Sequence, residues 1–592
     1  MMAIFALGEV LWNNIPMISE TKNCQNCKTD FIIEPDDFSF YEKLKVPPPT
    51  FCPKCRLIRR MSWRNERFLY RQTCGLCQRS IISIYKPESG YNVYCHTCFR
   101  NDKWDPFSYG VLYDFSKPFF LQFNELQKKV PRLYAMVTEC YNSEYVNGAA
   151  YNKSCFMIFA SDHNEDSSYS HSIFYCKDVF DCLGARHCEF SAGLIDCEKL
   201  SNSLYSQDCI NSFNLYFCKN CSGCHDCIGS VNLYGKSFCV FNEQYTKAEC
   251  EKILTGMNLS RASNIKDISD KSKEFHSQFP SKYYHGKNNV NSTGDYLIHS
   301  KNSSLVFDGE DVEDCKYLYI VNKVKDSYDG YSIVENAQFN LEVVSHNSSF
   351  SKFCFCYWSG SYGTYSDTCE NCSNVFGCIG LRNKHYCILN KQYSKEQYEE
   401  LLPKIIKHMG EMPYLDKRMV KYGYGEYFPT DLSPFAYNET VANEFFPLSK
   451  EQIIENKYNW KEKEERNYKV DLKNTNIPDD ISQITESVVG QIIECEHQGK
   501  CNEQCTEAFK ITQEEFQFYK RMNIPIPRFC SNCRHYQRLK LRNPLKLWHR
   551  SCMCDKSNHG HTNKCQNEFE TSYDPNRPEI VYCEKCYQQE VY

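Results

Sequence analysis

Small and apolar residues recur through the middle of the chain with a 21-residue period. The period is clearest in one column of cysteines: Cys155, Cys176, Cys197, Cys218 and Cys239. Two neighbouring columns hold apolar side chains at the same interval: Ile173, Leu194 and Leu215, then Phe174, Ile195 and Tyr216. A fixed period of about 20–30 residues is typical of a supersecondary unit that stacks on copies of itself. The stretch from about 134 to 241 is therefore predicted to be a repeat array.

The residues within each period favour β-structure over helix. Cys, Ser, Val, Leu, Phe and Tyr are interrupted by Asn, Asp and Gly, which suits short strands joined by sharp corners. A helical repeat would need stripes of Leu and Ala at i and i+4, and the period lacks them. The pattern predicts a parallel β-solenoid with a 21-residue period.

A second array is predicted at about 296–389 from the same interval. Its column is Val306, Ser327, Ser348 and Cys369. The end of this array, 369–402, duplicates the end of the first array, 218–254, and both run into a segment with helical periodicity. Thr246 is the predicted N-cap of the first such helix. Each helix is expected to cover the last open edge of its array.

Paired cysteines with metal-ligand spacing lie in the N-terminal part of the chain. The pairs are Cys24/Cys27, Cys52/Cys55, Cys74/Cys77 and Cys95/Cys98, and the gaps inside successive quartets span 28–51 and 78–94. Each C-x-x-C turn directs two thiolates to one point, and two turns complete a tetrahedron with Zn–S bonds of about 2.3 Å. Such a closed site has no position for water, so two structural zinc ribbons are predicted.

The C-terminal part repeats this plan. Residues 514–534 align without a gap with residues 36–56, and the two gap lengths recur before Cys530 and before Cys583. The predicted ligands are Cys501, Cys505, Cys530, Cys533, Cys554, Cys565, Cys583 and Cys586. The last site lacks a partner at C-x-x-C spacing, so three other residues stay open as alternatives to Cys554: Cys552, His559 and His561. About four structural Zn²⁺ ions per chain are predicted in total.

The C-terminal ribbon resembles a known family. Its C-x-x-x-C pair at Cys501, the EEFQFY segment and Pro527-Arg528-Phe529-Cys530-x-x-Cys533-Arg534 are similar to the probable zinc-ribbon domain family. Residues 24–56 resemble a second copy. The whole layout is similar to uncharacterised, cysteine-rich multi-ribbon proteins of uncultured bacteria and large DNA viruses. The resemblance implies zinc binding and no particular activity.

These patterns predict a mainly β protein with tandem zinc ribbons at both termini flanking a two-part parallel β-solenoid with short capping helices. The predicted segments are ribbons at 20–101, a linker and short helix at 102–133, the first β-solenoid with its capping helix at 134–294, the second at 295–411, a linker with a charged helix at 412–488, and ribbons at 489–592.

Composition and charge narrow the class of protein. A chain of 592 residues is too long for one core. Its 38 cysteines, many in C-x-x-C pairs, indicate metal thiolates in a reducing environment. The net charge of −5 argues against a uniformly basic nucleic-acid coat. With no signal-peptide pattern and no apolar run of about 18–20 residues, we expect a cytoplasmic or particle-packaged protein with no membrane partner.

A basic segment follows the second cysteine pair at each end of the chain. Each segment, 52–71 and 528–550, carries seven Lys or Arg residues with aromatic residues interleaved. The candidate contacts are Arg56, Arg59, Arg60, Arg64, Arg534, Arg538 and Arg542. Because basic groups neutralise phosphates and aromatic rings stack on bases, these segments predict nucleic-acid binding. A protein partner and a plain solvated face are the alternatives.

The run Cys218-x-x-Cys221-x-x-Cys224-x-x-Cys227 has the spacing of iron–sulfur ligands. In the duplicated array the counterpart of Cys224 is Val375, so a four-thiolate cluster is not retained there. Buried free thiols are therefore favoured for the array, with a metal cluster or disulfides as alternatives.

The predicted function is a non-enzymatic, zinc-binding scaffold or adaptor whose terminal ribbons contact nucleic acid or a protein partner. Phosphate-loop, H-E-x-x-H and G-x-S-x-G motifs are absent from the sequence, and no small-molecule substrate is indicated. The alternative is a β-solenoid enzyme acting on carbohydrate. It would use Asp308, Asp311 and Asp329, because Asp308 and Asp329 are one predicted period apart and would stack.

Overall fold

The computed structural model describes residues 18–463 and 468–591, and it is rich in strands. The N-terminal strands are Glu20–Asn23, Asp30–Ile33, Tyr70–Thr73, Ser80–Ser83, Val93–Tyr94 and Arg132–Leu133. The first array contains Val137–Thr138, Asn147–Ala150, Phe159–Asp162, Lys177–Phe180, Glu189–Ala192, Glu198–Ser201, Ile210–Tyr216, His225–Ile228, Cys239–Val240 and Glu243–Gln244.

The second array and the remaining strands follow. The array contains Gly286–Lys287, Gly294–Ile298, Val306–Glu313, Tyr319–Lys325, Tyr331–Gln338, Val344–His346, Phe355–Trp358, Ser361–Thr364, Ser373–Phe376, His385–Ile388 and Lys391–Gln392. The other strands are Ser281–Lys282, Tyr414–Leu415, Lys421–Tyr422, Ile493–Glu494, Ala508–Phe509, Trp548–Ser551, Glu568–Thr571 and Val581–Tyr582.

Helices lie mainly between and beside these strands. The α-helices are Pro35–Lys43, Pro53–Met61, His96–Arg100, Phe119–Lys129, Lys247–Met257, Ala262–His276, Lys395–Glu411, Val441–Phe445, Lys450–Glu455, Gln513–Met522, Ser531–Leu539 and Glu584–Val591. The 3-10 helices are Pro87–Ser89, Pro106–Tyr109, Thr430–Leu432, Tyr437–Glu439, Asn474–Asn476, Ile481–Gln483, Glu486–Val488 and Ser557–His559. Among the described helices, none has the length and apolar character that crossing a bilayer requires.

Tertiary contacts divide the chain into two compact units, each built from distant stretches. The N-ribbon unit contains the described residues up to Tyr134, together with Tyr284–Glu462 and Leu545–Leu547. The C-ribbon unit contains Ala135–Tyr283 and the described residues of 463–544 and 548–592. The N-terminal ribbons are thus grouped with the second array, and the C-terminal ribbons with the first.

Both arrays consist of parallel strands up to a closing antiparallel hairpin, and most paired residues have the same offset in each array. In the first array Lys177 pairs with Glu189, and in the second Phe307 pairs with Tyr319, so partners are twelve positions apart. Isolated bridges such as Tyr141 with Lys153 keep this offset. The prediction of parallel, strand-rich arrays is therefore confirmed, whereas the predicted period is wrong.

A repeating unit of three residues explains why the predicted period differs from the observed offset. In the first array the buried cluster consists of residues separated by multiples of three, including Cys176, Val179 and Cys182. The residue before each inward position has a positive φ, for example 56° at Asp178 and 54° at Asp181. The backbone therefore turns at every third residue. Since the predicted period and the observed offset are both multiples of three, residues one predicted period apart share the inward direction without being paired.

One large side chain enters the second array where two glycines make room for it. Tyr357 is buried, and its hydroxyl donates to the carbonyl of Cys372 at 2.7 Å. A Cβ added to Gly360 or Gly363 would lie 2.5 or 2.6 Å from the Tyr357 ring. The small residues at these inward positions therefore accommodate the tyrosine, as close packing requires.

A capped helix follows each array. Thr246 is the N-cap of Lys247–Met257, as predicted, and Ser394 is the N-cap of Lys395–Glu411. Cys250 of the first helix packs with Ile228 and Val240 at the end of its array. The charged helix predicted within the linker 412–488 is the short helix Lys450–Glu455, and residues 464–467 of this linker lie outside the described ranges.

Candidate metal centres

Four groups of cysteines bring their sulfur atoms together in the ribbon regions. In each group all four sulfurs lie within 4.8 Å of one another. The groups are Cys24, Cys27, Cys52 and Cys55; Cys74, Cys77, Cys95 and Cys98; Cys495, Cys505, Cys530 and Cys533; and Cys552, Cys565, Cys583 and Cys586. We call them quartets one to four.

The sulfur separations suit a tetrahedral metal. Four thiolates about 2.3 Å from a central ion are separated by about 3.8 Å along the edges of the tetrahedron. The Sγ–Sγ distance is 3.7 Å between Cys27 and Cys52, and 3.9 Å between Cys77 and Cys95. These distances are far from the roughly 2.05 Å of a disulfide bond, so each quartet could hold one ion.

The same backbone hydrogen bond is made to the first cysteine of every quartet. In quartets one and two, the amides of Cys52 and Cys95 donate to Cys24 Sγ and Cys74 Sγ at 3.2 and 3.3 Å. In quartet three, the Cys530 amide donates in the same way to Cys495 Sγ at 3.3 Å.

Quartet four has the same bond, in which the Cys583 amide donates to Cys552 Sγ at 3.2 Å. Cys495 and Cys552 are therefore the structural counterparts of Cys24 and Cys74. Such amide donors stabilise the deprotonated thiolate form of a cysteine, and this is the form that binds a metal ion.

Two cysteines that were predicted as ligands from the sequence lie outside the quartets. Quartet three contains Cys495 where Cys501 was predicted, and quartet four contains Cys552 where Cys554 was preferred. The second cysteine of each quartet was placed correctly by its spacing to the pair that follows. The first was missed because the turn between the first two ligands carries an insertion, so these ligands no longer have C-x-x-C spacing.

The signal that identifies these ligands is the strand before them. Cys495 follows Ile493–Glu494, as Cys24 follows Glu20–Asn23. Cys552 follows Trp548–Ser551 in the sequence LWHRSC, which is similar to LYRQTC ending at Cys74. A cysteine directly after a strand, rather than C-x-x-C spacing, is thus the shared feature.

The inserted turns add further donors beside the quartets. Near quartet four, Cys554 Sγ lies 3.2 Å from His559 Nδ1, and His561 Nε2 lies 3.4 Å from Cys586 Sγ. Near quartet three, Cys501 Sγ lies 3.8 Å from Cys533 Sγ. The inserted residues Cys501 and His561 therefore lie beside ligands of their quartets.

The arginines predicted to contact nucleic acid are buried inside the units. Their exposed fractions are Arg56 1%, Arg59 2%, Arg60 0%, Arg64 6%, Arg534 8% and Arg538 7%, and the Arg542 side chain is 11% exposed. A phosphate contact requires an accessible guanidinium group. The predicted basic surface is therefore not formed by these residues, and the reason lies in their partners.

In the N-ribbon unit, the helix Pro53–Met61 presents its arginines to acids of the second array. The Asp329 carboxylate forms ion pairs with Arg56 Nε at 2.9 Å and with Arg60 Nη1 at 3.3 Å. Glu342 lies 2.8 Å from Arg59 and 3.2 Å from Arg60. This helix starts directly after Cys52, so the metal ligand and the ion pairs belong to one element.

The C-ribbon unit repeats the arrangement with the first array. Asp181 lies 2.7 Å from Arg534 and 2.9 Å from Arg538, in the helix that follows Cys530. Arg542 pairs with Asp196 at 2.7 Å. We call the contacts of Asp329 and Asp181 with their arginines the buried clamps.

An aromatic pair adjoins each buried clamp. Phe40 stacks on Tyr328 with ring centroids 3.9 Å apart, and Phe518 stacks on Phe180 at the same distance. Tyr328 and Phe180 directly precede the two clamp aspartates. Each array therefore uses an aromatic residue followed by Asp to receive one ribbon.

Burial and charge act against each other in these clamps. Burial disfavours the charged guanidinium, but Asp181 with Tyr519 and Glu515 outweighs it and holds the pKa of Arg534 well above its ordinary value. Burial likewise raises the pKa of Glu342, and Arg59 and Arg60 oppose that shift. In both cases burial opposes the charged form and the oppositely charged partners favour it.

The acids proposed for carbohydrate chemistry are not stacked. In the register that pairs Phe307 with Tyr319, Asp308 lies opposite Ile320, so it does not align with Asp329. Asp329 is fully buried in its clamp, while Asp311 is exposed and faces His299 at 3.4 Å. The carboxylate pair that this mechanism needs is therefore not assembled from these residues.

None of the 38 cysteines, all of which lie within the described ranges, forms a disulfide bond, and those of the arrays lie outside the quartets. The C-x-x-C-x-x-C-x-x-C run occupies successive inward positions of the triplet pattern. Cys182 Sγ donates to the Phe180 carbonyl at 3.3 Å, and burial raises the pKa of Cys155 and Cys227 to about 12. Protonated, buried thiols act as small apolar side chains.

Comparisons with known proteins leave the family open. No family model matches the chain, and no curated protein matches it. Among solved structures, a "putative acetyltransferase" from Desulfovibrio desulfuricans G20 aligns over 48% of this chain and 85% of its own length, at 10% identity and a TM-score of 0.11. A similarity of that size carries no argument about fold or activity.

Quartet membership can be tested by comparing two neighbouring cysteines. Cys552→Ser is expected to lower the metal content of the chain by one ion, because it removes one of four thiolates, whereas Cys554→Ser is expected to leave it unchanged. Native mass spectrometry of the metal-loaded protein measures the difference. If Cys554→Ser lowered the metal content and Cys552→Ser did not, Cys554 would be the ligand and Cys552 would not.

The buried clamp can be tested with two nearby aspartates of the first array. Asp181→Ala removes the carboxylate that two buried arginines share and is expected to cost about 3–5 kcal/mol of unfolding free energy. Asp178→Ala removes a more exposed pair with Arg521 and is expected to cost about 1 kcal/mol or less.

Both aspartates have a positive φ, 56° at Asp178 and 54° at Asp181, so the backbone cost of alanine cancels in the comparison. Urea unfolding of the metal-loaded chain measures both values. Equal losses of unfolding free energy in the two variants would show that the buried clamp stabilises the protein no more than an ordinary surface ion pair does.

Proposed function

We propose that this protein is a non-enzymatic, zinc-dependent scaffold or adaptor. Each of its two units would consist of a β-solenoid held by a pair of zinc ribbons. The observation that carries the proposal is that one helix serves both parts of a unit. It begins at a ligand of quartet one or three and ends in arginines buried against array acids.

Zinc is the ion that best suits the quartets. Four thiolates at tetrahedral separations favour Zn²⁺ among the common cellular ions and leave no coordination position for water or substrate. The closed shell supports a structural role at all four sites, with one ion in each quartet. Because the ribbons have small apolar cores, the bound metal would supply much of their folding free energy.

The register of the arrays supports the solenoid part of the proposal. Pairing partners twelve positions apart, with a turn at every third residue, correspond to a coil with four short sides. Successive coils would stack through parallel bridges, with Cys, Ser, Val and Leu filling the interior. Stacked coils of this kind form rigid supports with long side surfaces, which suits the binding of partners.

The partner is proposed to be a protein. Nucleic-acid binding was predicted from seven arginines, and these lie in ion pairs within the units. Releasing them for phosphate would leave buried carboxylates unpaired, at a cost of several kcal/mol for each broken pair. The net charge of −5 likewise opposes non-specific attraction to nucleic acid.

Zinc removal tests the scaffold role. After chelation, we expect faster hydrogen–deuterium exchange in ribbon peptides and in array peptides that contain Asp181 or Asp329, because the clamp helices lose their anchor. Array peptides around Glu165, whose ion pairs with Lys153 and Lys177 lie within the array, serve as the internal control and should change little. Unchanged exchange at both clamp aspartates would refute the link between metal and array.

A salt series with single- and double-stranded nucleic acid tests the choice of partner. We expect no measurable binding of the zinc-loaded full chain at about 0.15 M salt, where contacts that depend on counterion release are weak. Tight binding whose affinity falls steeply with salt would overturn the protein-partner proposal and favour nucleic acid. The chelated protein serves as the control for binding by unfolded ribbons.

A further inference from the structure

Quartet three has a second group of metal donors beside it. His497, Cys501 and Glu503, all from the inserted turn, converge on Cys533, and one donor atom from each lies within 4.8 Å of the others. His497 and Cys501 are half-buried, and Glu503 is buried. The turn therefore presents nitrogen, sulfur and oxygen donors to a sulfur that already belongs to the quartet.

The distances among these donors match a tetrahedral ion. Zinc bonds of about 2.0–2.3 Å to nitrogen, oxygen and sulfur imply donor separations of about 3.3–3.8 Å. His497 Nδ1 lies 3.3 Å from Glu503 Oε2 and 3.3 Å from Cys533 Sγ. Cys501 Sγ lies 3.8 Å from Cys533 Sγ.

The hydrogen bonding of the Glu503 carboxylate is a second, independent indication of a cation site. Its Oε1 contacts the Lys540 ammonium group, whereas Oε2 is buried and accepts no hydrogen bond from the residues that the structure describes. An unsatisfied carboxylate oxygen inside a protein is costly. A cation held between Oε2, the imidazole and the two thiolates would satisfy it.

Charge also favours a second ion. A zinc bound by four thiolates carries a net charge of −2, and Cys501 and Glu503 as anions would bring it to −4. A second Zn²⁺ restores the total to −2, with Lys540 reducing it further. Cys533 would bridge the two ions, which a thiolate can do because its sulfur has several lone pairs.

We propose that the third ribbon holds two zinc ions: one in the quartet, and a second bound by His497, Cys501, Glu503 and the shared Cys533. This inference rests on the proposed zinc occupancy of quartet three. The second ion has two thiolate ligands, one of them shared, where each quartet supplies four, so it exchanges with added chelator faster than the ions of the quartets.

The test is a metal count on the full chain loaded with Zn²⁺ alone. Native mass spectrometry should find five ions in the unaltered protein and four in the double variant His497→Ala/Cys501→Ser. Cys140→Ser, which removes a half-buried cysteine of the first array, should keep five. A graded chelator titration should remove one ion before the other four.

Cadmium substitution gives a readout that does not depend on the variants folding well. Cadmium NMR of the unaltered protein should show one resonance from a mixed sulfur, nitrogen and oxygen shell in addition to all-sulfur resonances. Fewer than four zinc ions would overturn the proposed function itself. Four ions that the double variant retains would overturn only the second site.

Four ions in the unaltered protein and three in the double variant would also overturn the inference. That result would make Cys501 or His497 a ligand of the single zinc of the third ribbon. A mixed-donor resonance that persists in the double variant would place the second ion at other residues and would refute this assignment.

Discussion

Carboxylates buried opposite guanidinium groups are the interaction on which each unit depends. Asp329 and Asp181 have their arginines within 3.3 Å, in surroundings where neither charge is stable alone. A buried ion pair is weak evidence for high stability, because desolvation offsets much of its attraction. Its stronger effect is on specificity: any other placement of the ribbon on its array would leave several charges unpaired.

Metal ligation and these ion pairs are connected through short helices. Cys52 and Cys530 precede Pro53–Met61 and Ser531–Leu539, and each helix carries two arginines of a clamp. Fixing the first turn of such a helix on an ion also fixes the direction of its side chains. Thiolate ligation near the helix start and guanidinium burial further along would therefore reinforce each other, which is the basis for proposing zinc as a folding partner of the whole unit.

The two units also show where variation is tolerated. Aromatic stacking and arginine pairing recur at Phe40 and Phe518 with nearly the same geometry. The first turn of the ribbon, by contrast, is lengthened in quartets three and four without loss of the sulfur positions. A loop inside a metal turn can thus acquire donors such as His497 and Cys501 while the aromatic and arginine contacts with the array stay unchanged.

Local pattern determined much of this protein from the sequence alone. Spacing between cysteine pairs identified fourteen of the sixteen quartet ligands, and recurring small residues identified two parallel arrays. Both signals are local, since a metal turn and an inward-facing triplet each need only a few neighbouring residues. The interval seen in the sequence was a multiple of that triplet, so it located the arrays but did not give the offset between paired residues.

Only the tertiary structure decided which residues pair and which segments pack together. It paired Lys177 with Glu189, replaced Cys501 and Cys554 by Cys495 and Cys552, and grouped each ribbon pair with the array distant from it in sequence. The tertiary structure also buries the arginines that were predicted to form a basic surface. An arginine in a sequence carries the same charge whether it meets phosphate or Asp329, and the difference lies in which surface folds against it.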